Sequence, residues 1–221
     1  MSAPAQGLQL TIPRHARQLV VVSRATAQPT DGRSLATLRA YVRAARGRQW
    51  RLVFGPWDAA IGSGGLVAAS RRREGDRATP VGIFGFGHTI YGTDPDPRGL
   101  HYHYHRLACG DWWDEDPSSA LYNRFVHVPC GASPGFRGDS EALWTATLAY
   151  RYFVPIDFNI GPIRRGLGAT GSAIFLHSWT GAATAGCVAL PVMRLLRLLR
   201  WLRPSERPVI EMGPKAELAS L

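Results

Sequence analysis

The chain has 221 residues, 45% of them hydrophobic, which is enough to bury one sizeable core and to form one domain with a short N-terminal extension. Twenty-four glycines and sixteen prolines spread along it favour short strands joined by turns over a helical bundle. A formal charge of +10, almost all of it from arginine, suits an anionic partner such as nucleic acid, a membrane surface or a cell-wall polymer, but no basic patch interleaved with aromatics resembles an RNA-binding motif, so nucleic acid is not the expected partner.

Residues Met1 to Pro13 are polar, and the first apolar run, Leu19 to Val22, is too brief for a signal-peptide core or a membrane span. Gln18 to Ser23 reads as a first strand. Leu35 to Ala45 reads as an amphipathic helix with Leu35, Leu38, Val42 and Ala45 on one side. Two strands follow, Trp50 to Gly55 and Trp57 to Ile61, ending at the glycine-rich stretch Gly62 to Gly65. A phosphate cradle there would need a lysine and a helix start after it, so the stretch is read as a hairpin turn. Tyr91 to Gly99 is a turn-rich surface loop. In the segment HYHYH, a strand would put His101, His103 and His105 on one face. That is the best zinc candidate in the chain, but successive same-face positions share a tetrahedral ion poorly, and no metal is expected.

Trp112, Trp113, Asp114, Asp116, Tyr122 and Asn123 form an aromatic and acidic cluster that either lines a groove for a peptide-bearing sugar or packs the core and caps a turn. A glycosidase pair is conceivable among Asp111, Asp114, Glu115 and Asp116, though nothing assigns an acid and a base. Cys109 and Cys130 form either a disulfide, which would leave Cys187 as the free thiol, or two buried thiols. Glu141 to Tyr152 reads as a short helix and Tyr152 to Phe158 as a strand. Ala173 to Leu176 is an apolar run that delivers His177 at the end of a buried strand. Pro191 opens a last helix to about Leu202, with Arg194, Arg197, Arg200 and Arg203 opposite a leucine face, either a solvated surface or a contact with an anionic envelope surface. Pro208 to Met212 returns as a final strand.

The chemistry concentrates in Ile174 to Pro191, IFLHSWTGAATAGCVALP, which sets His177 and Cys187 ten positions apart and joins them by small residues. Gly186 leaves room for a substrate to approach the sulfur and for the backbone N–H groups of Gly186 and Cys187 to face a developing oxyanion. An imidazole within reach would take the thiol proton and hold the thiolate as an ion pair, depressing the thiol pKa below roughly 8.5. The chemistry suggested is acyl transfer through a thioester.

Thr184-Ala185-Gly186-Cys187 resembles the S/T-x-G-C signature of the YkuD-type L,D-transpeptidase catalytic domains, and Gly171 to His177 resembles the strand carrying their histidine. Glu74 to Gly87, EGDRATPVGIFGFG, is similar to the family's EGD-x-x-TP-x-G block, and Asp111 to Arg124 to its tryptophan-DP-YN block. Many members have histidine before the Gly-Cys pair and arginine or asparagine two residues after the cysteine, where this chain has Ala185 and Ala189.

Pattern alone gives a β-rich α+β fold. The resemblance implies a β-sandwich-type catalytic domain with a few peripheral helices over residues 18–213, between an extension 1–17 and a tail 214–221. It further implies Cys187 as nucleophile and His177 as base, with no cofactor. Thr184, Ser178, Trp112, Tyr122 and Asn123 are the candidate substrate contacts. The implied partner is a peptidoglycan stem peptide, in an extracytoplasmic envelope setting. An amine acceptor would give a 3→3 cross-link and water a carboxypeptidase or amidase. A wall-binding module that kept the fold, and a cysteine peptidase acting on protein, are the alternatives of other classes.

Overall fold

A computed structural model describes residues 11–25, 34–44, 49–136, 140–160 and 171–219. Most of the polar N-terminal extension, Ala45 of the expected first helix and the last two residues of the tail therefore lie outside the described residues. Among the described residues, eleven strands form one hydrogen-bonded order, and a further three form a small separate sheet.

The run of β-branched residues at the start forms β1, Gln18–Arg24, which pairs parallel with β14, Val209–Pro214, and antiparallel with β2, Leu35–Val42. Successive side chains go to opposite faces: Val20 and Val22 enter the main core, while Leu19 and Val21 enter a second cluster with Ile12 and Val209. A strand buried on both faces reads as a continuous apolar run.

The helix expected from Leu35 is instead the strand β2. Its buried residues are Ala36, Leu38 and Ala40, a period of two, and edges on both sides take up its backbone groups. The helix-like spacing of Leu35, Leu38 and Val42 loses to this pairing, because tertiary contacts override local propensity. The two strands expected next are one, β3, Arg51–Ala60, with register shifts against β2 near Leu38 and Ala40. Gly55 sits at this irregularity with φ +96°, and a Cβ there would come within 2.4 Å of the Leu38 carbonyl oxygen.

The glycine-rich stretch makes a turn, Gly65 N–H to Gly62 O at 2.9 Å, but not a hairpin. The next strand, β4, Leu66–Ala68, pairs with β5, Thr79–Phe84, while β3 continues the sheet elsewhere. Close backbone approach explains the glycines: a Cβ on Gly62 would meet Arg77 O at 2.3 Å and Gly186 Cα at 3.0 Å.

After β6, Thr89–Gly92, and β7, His103–Arg106, the chain leaves the main sheet. It builds the small sheet from β8, Asp111–Asp114, β9, Arg124–His127, and β10, Glu141–Ala142. A Cys109–Cys130 disulfide closes the loop that holds β8 and β9. The helix expected from Glu141 does not form. Glu141 pairs with Trp113 across β10 and β8, and the hydroxyl and N–H of Thr145 both turn back to the Ala142 carbonyl, so that only a 3-10 turn, Ala149–Arg151, remains. The chain then re-enters the main sheet as β11, Phe153–Pro155, β12, Phe175–Ser178, and β13, Val188–Leu190.

The last helix is α1, Val192–Trp201, with Pro191 one position before it. Leu195, Leu198 and Leu199 are buried, and the arginines of its other face find partners within the chain. Arg194 lies over Trp57 and Arg197 over Phe54, Arg200 donates to the carbonyls of Pro97 and Arg98, and Arg203 reaches His101.

Glu211, in the middle of β14, is fully buried. Its Oε1 accepts the Ala219 N–H at 2.6 Å, and its Oε2 has no hydrogen-bond partner among the described residues. Burial raises its pKa, outweighing the Ala219 bond, so stability is lost as pH rises from the unfolded carboxyl value through the folded one. Glu211→Gln keeps an acceptor and removes the charge. It is expected to gain about 1–2 kcal/mol at pH 8, with the gain disappearing near pH 4, as read from urea midpoints. Reduction of the disulfide, or Cys109→Ser with Cys130→Ser, is expected to cost about 2–3 kcal/mol by the same measurement.

Candidate active site

β12 and β13 run parallel, with His177 opposite Ala189, so that His177 of β12 is brought beside Cys187, the residue immediately before β13. Phe153 of β11 flanks His177 on the other side. His177 stands within β12, not at its end, because Ser178 continues the pairing with Leu190. Both residues line a cavity of about 370 Å³, together with Arg72, Glu74, Glu115, Glu141, Tyr150 and the segment from Trp179 to Ala185.

The loop bearing Cys187 is fixed by hydroxyl groups. Thr184 Oγ1 donates to the Cys187 carbonyl at 2.7 Å and accepts the Gly186 N–H at 3.2 Å. Thr79, the threonine of the EGDRATP block, donates to the Gly186 carbonyl at 2.7 Å and accepts the Gly62 N–H at 2.9 Å. Gly186 has φ +135°, and a Cβ there would come within 2.9 Å of the Ala78 carbonyl oxygen, so the residue before the thiol has to be glycine. The Thr79 hydroxyl thus ties two of the chain's sequence blocks together at the thiol.

Cys187 is the one free cysteine, 8% exposed. Its thiol donates to the Ala173 carbonyl at 3.1 Å and accepts the Phe175 N–H at 3.2 Å. Burial pushes its pKa up, and Glu141 and Glu115 push the same way, while the Phe175 N–H and Arg72 oppose. His177 Nδ1 lies 2.9 Å from the Ser178 carbonyl, which can only accept, so that nitrogen carries the proton. Burial lowers its pKa even though the Ser178 and Ala149 carbonyls favour the protonated ring. The resting pair is therefore a thiol and a neutral imidazole. Desolvation disfavours both charges of the thiolate–imidazolium pair expected from spacing.

Tyr122 donates to Glu74 Oε2, and Ser172 Oγ lies 2.9 Å from that same atom and 3.1 Å from Glu115 Oε2. Tyr150 donates to Glu141, whose pKa burial raises, and its ring meets that of His177 edge-on. Asn123 is 2% exposed and lies behind the wall. Its Oδ1 accepts Trp113 Nε1–H and Ala173 N–H, and its Nδ2 donates to the carbonyls of Phe158 and Asn159. Ala173 is the residue whose carbonyl accepts the hydrogen bond of the thiol, so Asn123 supports the site from outside the cavity. Of the candidate substrate contacts, Thr184 lines the cavity. Tyr122, Asn123 and Ser178 are buried beside it, and Trp112 packs on Trp144 and Phe136.

The tryptophan-DP-YN block is thus largely scaffold. Asp111 accepts from His105 at 2.8 Å and His127 at 2.7 Å. Burial would raise its pKa, but the Ala108 N–H and the two histidines hold it below the usual value. His101 falls before β7, so the three histidines do not share one strand face. Asp114 and Asp116 accept backbone N–H groups of the turn they form. Arg72, Glu141, Tyr150 and Ser172 are cavity residues that sequence reasoning missed. They come from four separate segments, and no local spacing announces them.

Iodoacetamide alkylation of Cys187 is expected to be slow at neutral pH and still rising above pH 8.5, because burial keeps the thiol protonated. A plateau reached below pH 7, followed by peptide mapping of the label, would contradict this.

A family model for the L,D-transpeptidase catalytic domain matches residues 20–210, a span that contains both strands of the site. No curated protein and no solved structure matches the chain significantly. The family match covers well over half of the chain and includes Thr79, His177 and Cys187: the chain belongs to the L,D-transpeptidase catalytic domain (YkuD) family of cell-wall enzymes.

Proposed function

We propose that the protein is a cysteine-dependent acyltransferase that acts on peptidoglycan stem peptides through a thioester on Cys187. The observation that carries this reading is that a free thiol just before β13 and an imidazole on the neighbouring parallel strand β12 line one cavity.

Cys187 gives its proton to His177 Nε2 as the sulfur attacks the carbonyl carbon of the amide after the third stem residue. The pKa shifts suit this order. Burial keeps His177 unprotonated and able to accept, while the Ser178 and Ala149 carbonyls stabilise the imidazolium once it forms. Those carbonyls stand where other cysteine and serine enzymes use a carboxylate or amide side chain. The Gly186 N–H is already directed at Thr184 Oγ1, so the Cys187 N–H is the principal donor for the oxyanion. The C–N bond breaks as the departing amine takes the proton from His177. An amine from a second stem, deprotonated by the same imidazole, then displaces the thiol and forms the cross-link. The carboxylates Glu74, Glu115 and Glu141 on the same wall suit an acceptor carrying an ammonium group, and they favour transfer to an amine over transfer to water. The Cys109–Cys130 disulfide supports an oxidising, extracytoplasmic setting in the cell envelope, because such bonds persist outside reducing compartments.

Incubation with disaccharide-tetrapeptide muropeptides, followed by mass spectrometry, is expected to yield dimers with loss of the terminal D-amino acid. Tripeptides alone would place the activity with hydrolysis, and unchanged substrate with folded protein would contradict an enzymatic role. Cys187→Ser is expected to lower turnover by at least about a thousandfold without loss of fold, whereas the Cys109→Ser and Cys130→Ser pair retains activity wherever it stays folded. A carbapenem is expected to acylate the wild type and not Cys187→Ala. An adduct that persists in the control would place the reactive group elsewhere.

A further inference from the structure

Arg72 is one of the largest fully enclosed side chains of the protein, 2% exposed, although it carries a charge. Its Nη1 pairs with Asp76 and donates to the Arg73 carbonyl at 2.9 Å. Its Nε has no hydrogen-bond partner among the described residues. The remaining nitrogen, Nη2, faces two glycines. A Cβ on Gly171 would stand 2.7 Å from it, and one on Gly186 would stand 3.5 Å from it. Gly171 has φ +95° and Gly186 φ +135°, so both hold backbone conformations that other residues rarely adopt. Gly171 leads into β12, which carries His177, and Gly186 immediately precedes Cys187. The guanidinium therefore occupies a notch that side chains on the two segments flanking the site would have filled.

Asp76 neutralises the guanidinium from the Nη1 side alone, and burying its other side with incomplete hydrogen bonding is costly unless a further negative charge meets it. Arg72 lines the cavity with Cys187, among carboxylates that oppose a thiolate there. We propose that Arg72 is a positioning residue for the nucleophile: wedged between Gly171 and Gly186 and tied to Asp76, it fixes the turn presenting Cys187 and supplies the positive charge the thiolate faces once its proton has left. Arg72 neither takes nor gives a proton. The inference rests on the reading of Cys187 as nucleophile, but its test needs no substrate and so fails or holds separately from that reading.

The measurement is the rate of iodoacetamide alkylation of Cys187 against pH, with the label mapped by peptide mass spectrometry and the fold checked by near-ultraviolet circular dichroism. Arg72→Met, which keeps the stem and removes the charge, is expected to slow alkylation about tenfold at pH 8 and to move the rise to higher pH. Arg72→Lys, which keeps the charge and loses the planar fork, falls between Arg72→Met and wild type. Asp76→Asn leaves Arg72 less neutralised and moves the profile the opposite way, with alkylation about threefold faster at pH 8. A merely structural role for the Arg72–Asp76 pair would shift both partners in the same direction. A folded Arg72→Met with the wild-type profile overturns the proposal. If that variant does not fold, an Asp76→Asn profile that is unchanged or slower does so.

Discussion

The parallel pairing of β12 with β13 is the constraint on which the site depends. It brings together two residues ten positions apart by passing the chain out of the sheet at Trp179 and back at Val188, along the wall of the cavity. Parallel neighbours need such a crossover, and here the crossover is short and made of small residues. Small residues let the loop lie close to the EGDRATP segment, where Thr79 and Ala78 touch Gly186. The core holds the pair from both sides. Leu176 and Val188 point into the main cluster, while Phe175 and Cys187 point into a third, distinct cluster with Trp113, Phe153 and Tyr150. Cys187 is thus a core residue at the start of a strand that is buried on both faces.

That burial shapes the chemistry. Burial drives the thiol and the imidazole toward their neutral forms, which disfavours a ready ion pair. What it holds in place are groups that favour the charges when they appear: the Phe175 N–H and Arg72 for the sulfur, the Ser178 and Ala149 carbonyls for the ring. Under the proposed mechanism these groups act as electrostatic preorganisation for the reacting state, and the resting thiol is expected to react slowly with adventitious electrophiles.

The sequence disclosed the strands whose apolar runs are buried on both faces, such as β1 and β12, and the helix whose leucines recur on one side. It misled where small residues dominate. In Leu35–Val42, alanine, leucine and arginine carry helix propensity, yet two neighbouring edges claim the backbone. Between Glu141 and Tyr152, pairing with β8 and a Thr145 turn break the pattern. The thiol and the imidazole were legible because a glycine before a cysteine and a histidine on an apolar strand are local signals. The Ser178 carbonyl, the Arg72 notch and the support from Asn123 were not, since each depends on backbone direction or on segments far apart in the chain. Tyr122 and Asn123 illustrate the limit. Their types suit a ligand groove, and only their near-complete enclosure shows that they brace the wall.

The most direct test of the account is to trap the covalent intermediate. Wild-type protein mixed with a stem tetrapeptide and quenched in acid within one turnover should carry the mass of the tripeptide acyl group, and proteolysis should place it on the fragment containing Cys187. Release of the terminal D-amino acid with no such adduct, or an adduct on any other residue, would contradict a thioester on Cys187 as the centre of the mechanism.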